Sequence, residues 1–178
     1  IYSRFGGLVG FVDGETTISE CWFAGSISGN SDIGGIVGHV SDDDNTKDVV
    51  IEHCLIDGDI QVTNKDGKGG GIVGVVKSAK TFTIFDTLNV KSVTIVDDKT
   101  SNYLGSAVGQ SYKDIYFTNS FTANPQLVCA SLTNKAEVKD KDSMRITVGN
   151  YFGNNAYKMT KLDFANYWVA KQNSTPEL

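Results

Sequence analysis

Positive charge is in short supply: 16 Lys+Arg stand against 21 Asp+Glu, the formal charge is −5 and the pI is near 4.9. A chain with this balance has no basic footprint for a phosphate backbone, so nucleic acid is not an expected partner. Long hydrophobic runs are missing as well. The longest apolar stretches reach four or five residues, against the roughly 20 that a bilayer-spanning helix requires, and a membrane span in this chain is excluded. Three cysteines, Cys21, Cys54 and Cys129, form no CxxC pair and are too few for a disulfide scaffold, so the core must carry the stability. Only two histidines occur, His39 and His53, which excludes an HExxH zinc site. There is no GxSxG elbow and no GxxxxGK[ST] phosphate loop, and no cofactor is expected. The chain opens at Ile1 with neither a basic n-region nor an apolar h-region, as expected of a fragment or a mature product. A length of 178 residues fits one domain.

What the chain has in quantity is glycine, 19 residues of it, much of it in a repeat. Gly6-Gly7-Leu8-Val9-Gly10 returns as Gly34-Gly35-Ile36-Val37-Gly38 and as Gly70-Gly71-Ile72-Val73-Gly74, and in weaker form as Gly105-Ser106-Ala107-Val108-Gly109. Between these runs lies a second unit, ISECWFAGSI from residue 18, IEHCLIDGDI from 51, IFDTLNVKSV from 84 and FTNSFTANPQ from 117, with a constant step of 33 residues. Stacked on one another, the units give columns that keep their chemistry: Ile18, Ile51, Ile84, Phe117; Cys21, Cys54, Thr87, Ser120; Trp22, Leu55, Leu88, Phe121; Ile27, Ile60, Val93, Gln126. The glycine runs are spaced 28, 36 and 35 residues apart, so insertions are absorbed in loops 41–48, 64–69 and 97–102.

The segments are short, rich in Val, Ile, Thr and Phe, and carry no sustained 3.6-residue pattern, so strands dominate. A unit of about 33 residues that cannot bury its own apolar face stacks on its neighbours at about 4.8 Å. The expected fold is all-β: a parallel β-helix or β-solenoid of about four turns, right-handed by the rule for parallel crossovers. Residues 1–130 form the repeats and 131–178 an irregular C-terminal cap of the same domain, its aromatics (Tyr151, Phe152, Tyr157, Phe164, Tyr167, Trp168) covering the last turn. The column Gly25, Gly58, Lys91, Asn124 reads as a corner where φ is free to be positive.

These residues carry a resemblance. The GG[LI]VG runs followed by I-x-x-C-x-x-x-G resemble the GLUG-motif repeats of large bacterial surface and secreted proteins, among them adhesin-like proteins and the non-catalytic repeat region of immunoglobulin A1 protease-like polypeptides. The match covers about residues 1 to 130, and the tail, with Leu162-Asp163-Phe164 and Asn166-Tyr167-Trp168, is similar to segments that close such arrays. The third and fourth repeats depart from the pattern, with Thr87 and Ser120 for the cysteine and GSAVG for GGLVG. The resemblance implies an extracellular or cell-surface location on the bacterial outer envelope and a non-enzymatic stalk or adhesive role, with a host glycan or an extracellular protein as partner.

Several residues invite a chemical reading. Glu20, His53, Asp86 and Asn119 form one column. If that face is open, the carboxylates of Glu20 and Asp86 lie two turns apart, about 9.6 Å, near the upper end of the separation in inverting glycosidases. The alternative function is therefore a polysaccharide-acting β-helix enzyme or accessory using a Glu20/His53/Asp86 face, and the plainer reading is a solvated strand face. Trp22 and its column mates are either core, which is the expectation, or an exposed apolar stripe suited to stacking sugars. The possible ligand-binding face is thus Glu20, His53, Asp86 and Trp22. Cys21 and Cys54 share a column but have parallel Cβ vectors, so packed free thiols are expected over a disulfide. No metal site is expected: the loop Asp42, Asp43, Asp44 lacks the DxDxDG spacing and reads as a solvated turn. Gly69 to Gly74 matches GxGxxG but is one copy of the structural run, and Asn173-Ser174-Thr175 is an idle glycosylation pattern in a bacterial context.

Overall fold

The computed structural model describes residues 3–43, 45–96, 100–122, 126–139, 144–145, 152–154, 156 and 160–178. Asp44, Asn124, Tyr151 and Tyr157, singled out in the sequence, lie outside the described residues. Among the described residues the named elements are strands and every strand-to-strand pairing is parallel, so the chain is a β-solenoid. The first coil supplies β1 (Arg4–Gly6), β2 (Val9–Val12), β3 (Thr16–Ser19), β4 (Trp22–Phe23) and β5 (Ser26–Gly29). Each of these begins one of five sheets, which the equivalent strands of later coils extend to four strands for β1, three for β5 and five for each of β2, β3 and β4. No helix among the described residues is long and apolar enough to cross a membrane.

The 33-residue step is the register of the stack. Ile18 pairs with Ile51, Ile51 with Ile84 and Ile84 with Phe117, and the last three are completely buried. The glycine runs are in register too, Gly6 against Gly34, Gly34 against Gly70 and Gly70 against Gly105. Their first glycine is dictated by the backbone. A Cβ on Gly70 would sit 1.8 Å from the carbonyl oxygen of Val73 and 2.7 Å from that of Ala107. Stacking also runs past residue 130, further than the repeat letters do: Cys129–Leu132, Val138–Lys139 and Met144–Arg145 each join a sheet. Backbone hydrogen bonds hold these rungs, so they persist where the side-chain signature has faded.

The chain bends at Gly25, Gly58 and Lys91 as expected, but neither glycine has a positive φ; Gly58 is required instead by close approach, its Cβ position lying 2.3 Å from the Phe23 ring. The left-handed corner falls at the column of Glu20, His53, Asp86 and Asn119, with φ of 53°, 50°, 44° and 49°. Asp, Asn and His tolerate this region better than β-branched residues do. The bend there resets the side-chain alternation. Cys54, Thr87 and Ser120 face in, Leu55, Leu88 and Phe121 face out, and Ile56 faces in again. The column headed by Trp22 is therefore not part of the solenoid core. Leu55, Leu88 and Phe121 are buried in a second cluster, against Leu162 and Trp168 of the C-terminal segment, with Phe164 and Tyr167 alongside. That segment runs across the outer wall of the coils, where it shields a lateral apolar stripe. Trp22, on the first coil, stays 58% exposed.

Candidate functional site

The four residues of the sequence-derived face have separate fates. His53 and Asp86 are brought together, Nδ1 to Oδ2 at 2.8 Å, and both are buried. The C-terminal segment closes over them. Trp168 Nε1 donates to Asp86 Oδ2 at 2.7 Å, the backbone N–H of Asp163 donates to Oδ1 at 2.8 Å, and Tyr167 stacks on the His53 ring with centroids 3.6 Å apart. Asp163 anchors the turn that delivers these aromatics: its carboxylate accepts from the Asn166 side chain and from the N–H groups of Ala165 and Asn166. The Asn166 hydrogen bond is the chief cause holding the Asp163 carboxyl below its ordinary range. Glu20 and Trp22 remain in solvent, one coil beyond the reach of this clasp. Asp86 thus serves as a buried acceptor that fastens the tail, and Glu20 and Asp86 do not form an open carboxylate pair.

The thiol column shows why Cys, Thr and Ser interchange. The Sγ of Cys21 and of Cys54 and the Oγ of Thr87 and of Ser120 each bond the carbonyl two residues earlier. The oxygens of Thr87 and Ser120 also accept the N–H of Cys54 and Thr87 from the preceding coil. These side chains restore pairing that the left-handed corner interrupts. All three cysteines are free, and burial pushes the thiols of Cys54 and Cys129 up to about 12. Because the thiolate is the nucleophile, Cys54 and Cys129 should resist a disulfide reagent at pH 8 in the folded protein and react fully in denaturant. A thiol titration in 0 and 6 M guanidinium checks this, and rapid labelling of Cys54 without denaturant would contradict it.

A second polar cluster lies where β1 and β2 and their equivalents meet. The column of Arg4 and Asp32 in the β1 sheet, continued by Lys68 and Tyr103 just ahead of its next two strands, runs beside Phe11, His39, Val75 and Gln110 in the β2 sheet. Between them is a cavity of about 270 Å³. Asp32 Oδ2 is 2.6 Å from His39 Nδ1, and Asp32 Oδ1 accepts from Ser31 Oγ. Asp42 pairs with Arg4 and lies 3.6 Å from Lys77 Nζ. Burial raises the Asp42 carboxyl, but Arg4, His39 and Lys77 more than offset it and the net shift is downward. Asp42 is thus salt-bridged rather than only solvated, and among the described residues no group of three ligating side chains could hold a metal ion. Sequence reasoning missed this cluster. Its signal was the alternating charge of Arg4, Asp32 and Lys68, two residues before each glycine pair.

No family model matches the chain, and no solved structure does. An alignment 114 residues long, covering 61% of this chain, is 29% identical to Halomucin of Haloquadratum walsbyi (strain DSM 16790 / HBSQ001). The chain spans about 1% of the length of this curated relative.

Proposed function

We propose that the chain is a non-catalytic β-solenoid module of a larger cell-surface or secreted protein, acting as a stalk or adhesive segment. The observation that carries this reading is the closed wall over His53 and Asp86. Both carboxylate oxygens of Asp86 are spent on Trp168, Asp163 and His53, so the wall is built to hold a strap and not to admit a sugar chain. The GG[LI]VG resemblance supports a repeat-array role, and the likeness to a short part of Halomucin supports membership of a much longer polypeptide. Binding is left to the variable loops and to the polar cleft around His39. A glycan and extracellular-matrix array, run beside a reducing-end assay on the same polysaccharides, tests the reading. We expect retention of a ligand without release of reducing ends. Turnover that disappears in Glu20→Gln, in a protein that still folds, would contradict it.

A further inference from the structure

The cavity beside His39 is assembled from residues whose bonding capacity is only partly used. His39 is 5% exposed and is held at Nδ1 by Asp32. Its Nε2 is buried and makes no hydrogen bond, standing 3.2 Å from Asp42 Oδ1 without the alignment one needs. Leaving a buried ring nitrogen without a hydrogen bond is destabilising, and a built site is one reason for a fold to tolerate it. The Gln110 side chain, 6% exposed, lines the same cavity and forms no side-chain hydrogen bond with the other described residues.

The charges are just as uneven. Three cations, Arg4, Lys68 and Lys77, line the cavity with two carboxylates, in a chain whose net charge is −5. Both carboxylates are committed, Asp32 to His39 and Ser31, Asp42 to Arg4 and Lys77. Lys68 is the exception. Its Nζ lies 5.6 Å from the Tyr103 ring centroid and is in ion-pair contact with no described carboxylate. A volume of about 270 Å³ falls just under the roughly 300–1,000 Å³ of drug-sized sites, which suits one small polar ring.

We propose that this cavity binds a single acidic sugar unit, its carboxylate on Lys68 and its hydroxyls on His39 Nε2 and Gln110. A hydroxyl both donates and accepts, so it can serve as the hydrogen-bond partner that the buried Nε2 lacks. The carboxylate supplies the missing partner of Lys68 in a charge-assisted bond. This assignment rests on the adhesive reading for its biological setting and names the ligand class that reading leaves open.

The test follows the two imidazoles by ¹H–¹⁵N correlation spectra while glucuronate, glucose or sodium sulfate is added to the whole chain. Glucuronate should move the His39 resonances and leave those of His53, sealed beneath Tyr167, in place; glucose and sulfate at equal concentration should move neither. Lys68→Gln, a change on the surface of the stack, should weaken glucuronate binding about tenfold or more with amide spectra still dispersed, and His39→Gln should weaken it as well. Unmoved His39 resonances, an equal response to glucose or to sulfate alone, or undiminished binding by Lys68→Gln would overturn the site. Retention of neutral glycans on the array together with unmoved His39 resonances overturns this site alone, whereas polysaccharide turnover at Glu20 overturns the adhesive reading and leaves a glucuronate response at His39 intact.

Discussion

Gly70→Ala is expected to lower stability by at least about 3 kcal/mol, the upper end of ordinary overpacking, and to leave little folded protein at 37 °C. The added methyl would coincide with the carbonyl oxygens of Val73 and Ala107, at 1.8 and 2.7 Å. Both are backbone atoms tied into the stack, since Ala107 O accepts from the N–H groups of Ile72 and Val73. No side chain can swing away, so the run 70–73 must open and release a rung shared by two coils. Gly25→Ala is the matched control. Its methyl would meet only the Phe23 ring at 3.4 Å and its φ is not positive, so the cost should stay within about 0.5 kcal/mol, as for most surface changes. Urea unfolding of the pair reads the difference, and equal midpoints would contradict the packing described for the glycine runs.

Asp86→Ala should cost about 3–5 kcal/mol, the range for breaking a buried charge-assisted network by removing one partner. Three donors lose their acceptor at once, Trp168 Nε1, the Asp163 N–H and the His53 ring. A left-handed φ of 44° then falls on a residue that tolerates it less well than Asp. Asp86→Asn keeps the backbone tolerance but has one acceptor oxygen in place of two, so its loss should be intermediate. Trp168→Phe removes a single hydrogen bond to a carboxylate, about 1.5–3 kcal/mol. Losing the strap uncovers Leu55, Leu88 and Phe121, and a rise in dye binding to exposed apolar surface should accompany the loss in the Asp86→Ala protein.

Much of the fold was legible because the stack is periodic. A step of 33 residues, kept through Ile18, Ile51, Ile84 and Phe117, is the register itself, and parallel pairing follows from units that cannot bury their faces alone. The wall was less legible. Glu20, His53, Asp86 and Asn119 read as a polar strand face because their letters are polar, whereas their shared property is tolerance of the left-handed corner. Placing the bend there would have sent the Trp22 column outward, and the tail aromatics Tyr167 and Trp168 would then have had an apolar stripe to cover. Alternation along a strand cannot reveal a corner at which the alternation restarts. The cleft at His39 was hidden for another reason: its residues come from two sheets and a loop, and their meeting depends on how closely the glycine runs bring β1 and β2 together.

The C-terminal segment is clasped along the outer wall of the solenoid, over Asp86, while the first coil leaves the same column open. The two tryptophans report it directly, with Trp22 58% and Trp168 2% exposed. Acrylamide quenching of a Trp22→Phe protein should show one shielded indole, and quenching of a Trp168→Phe protein one accessible indole, with the shielding of Trp168 lost on Asp86→Ala. Free quenching of Trp168 in the folded Trp22→Phe protein would contradict the account.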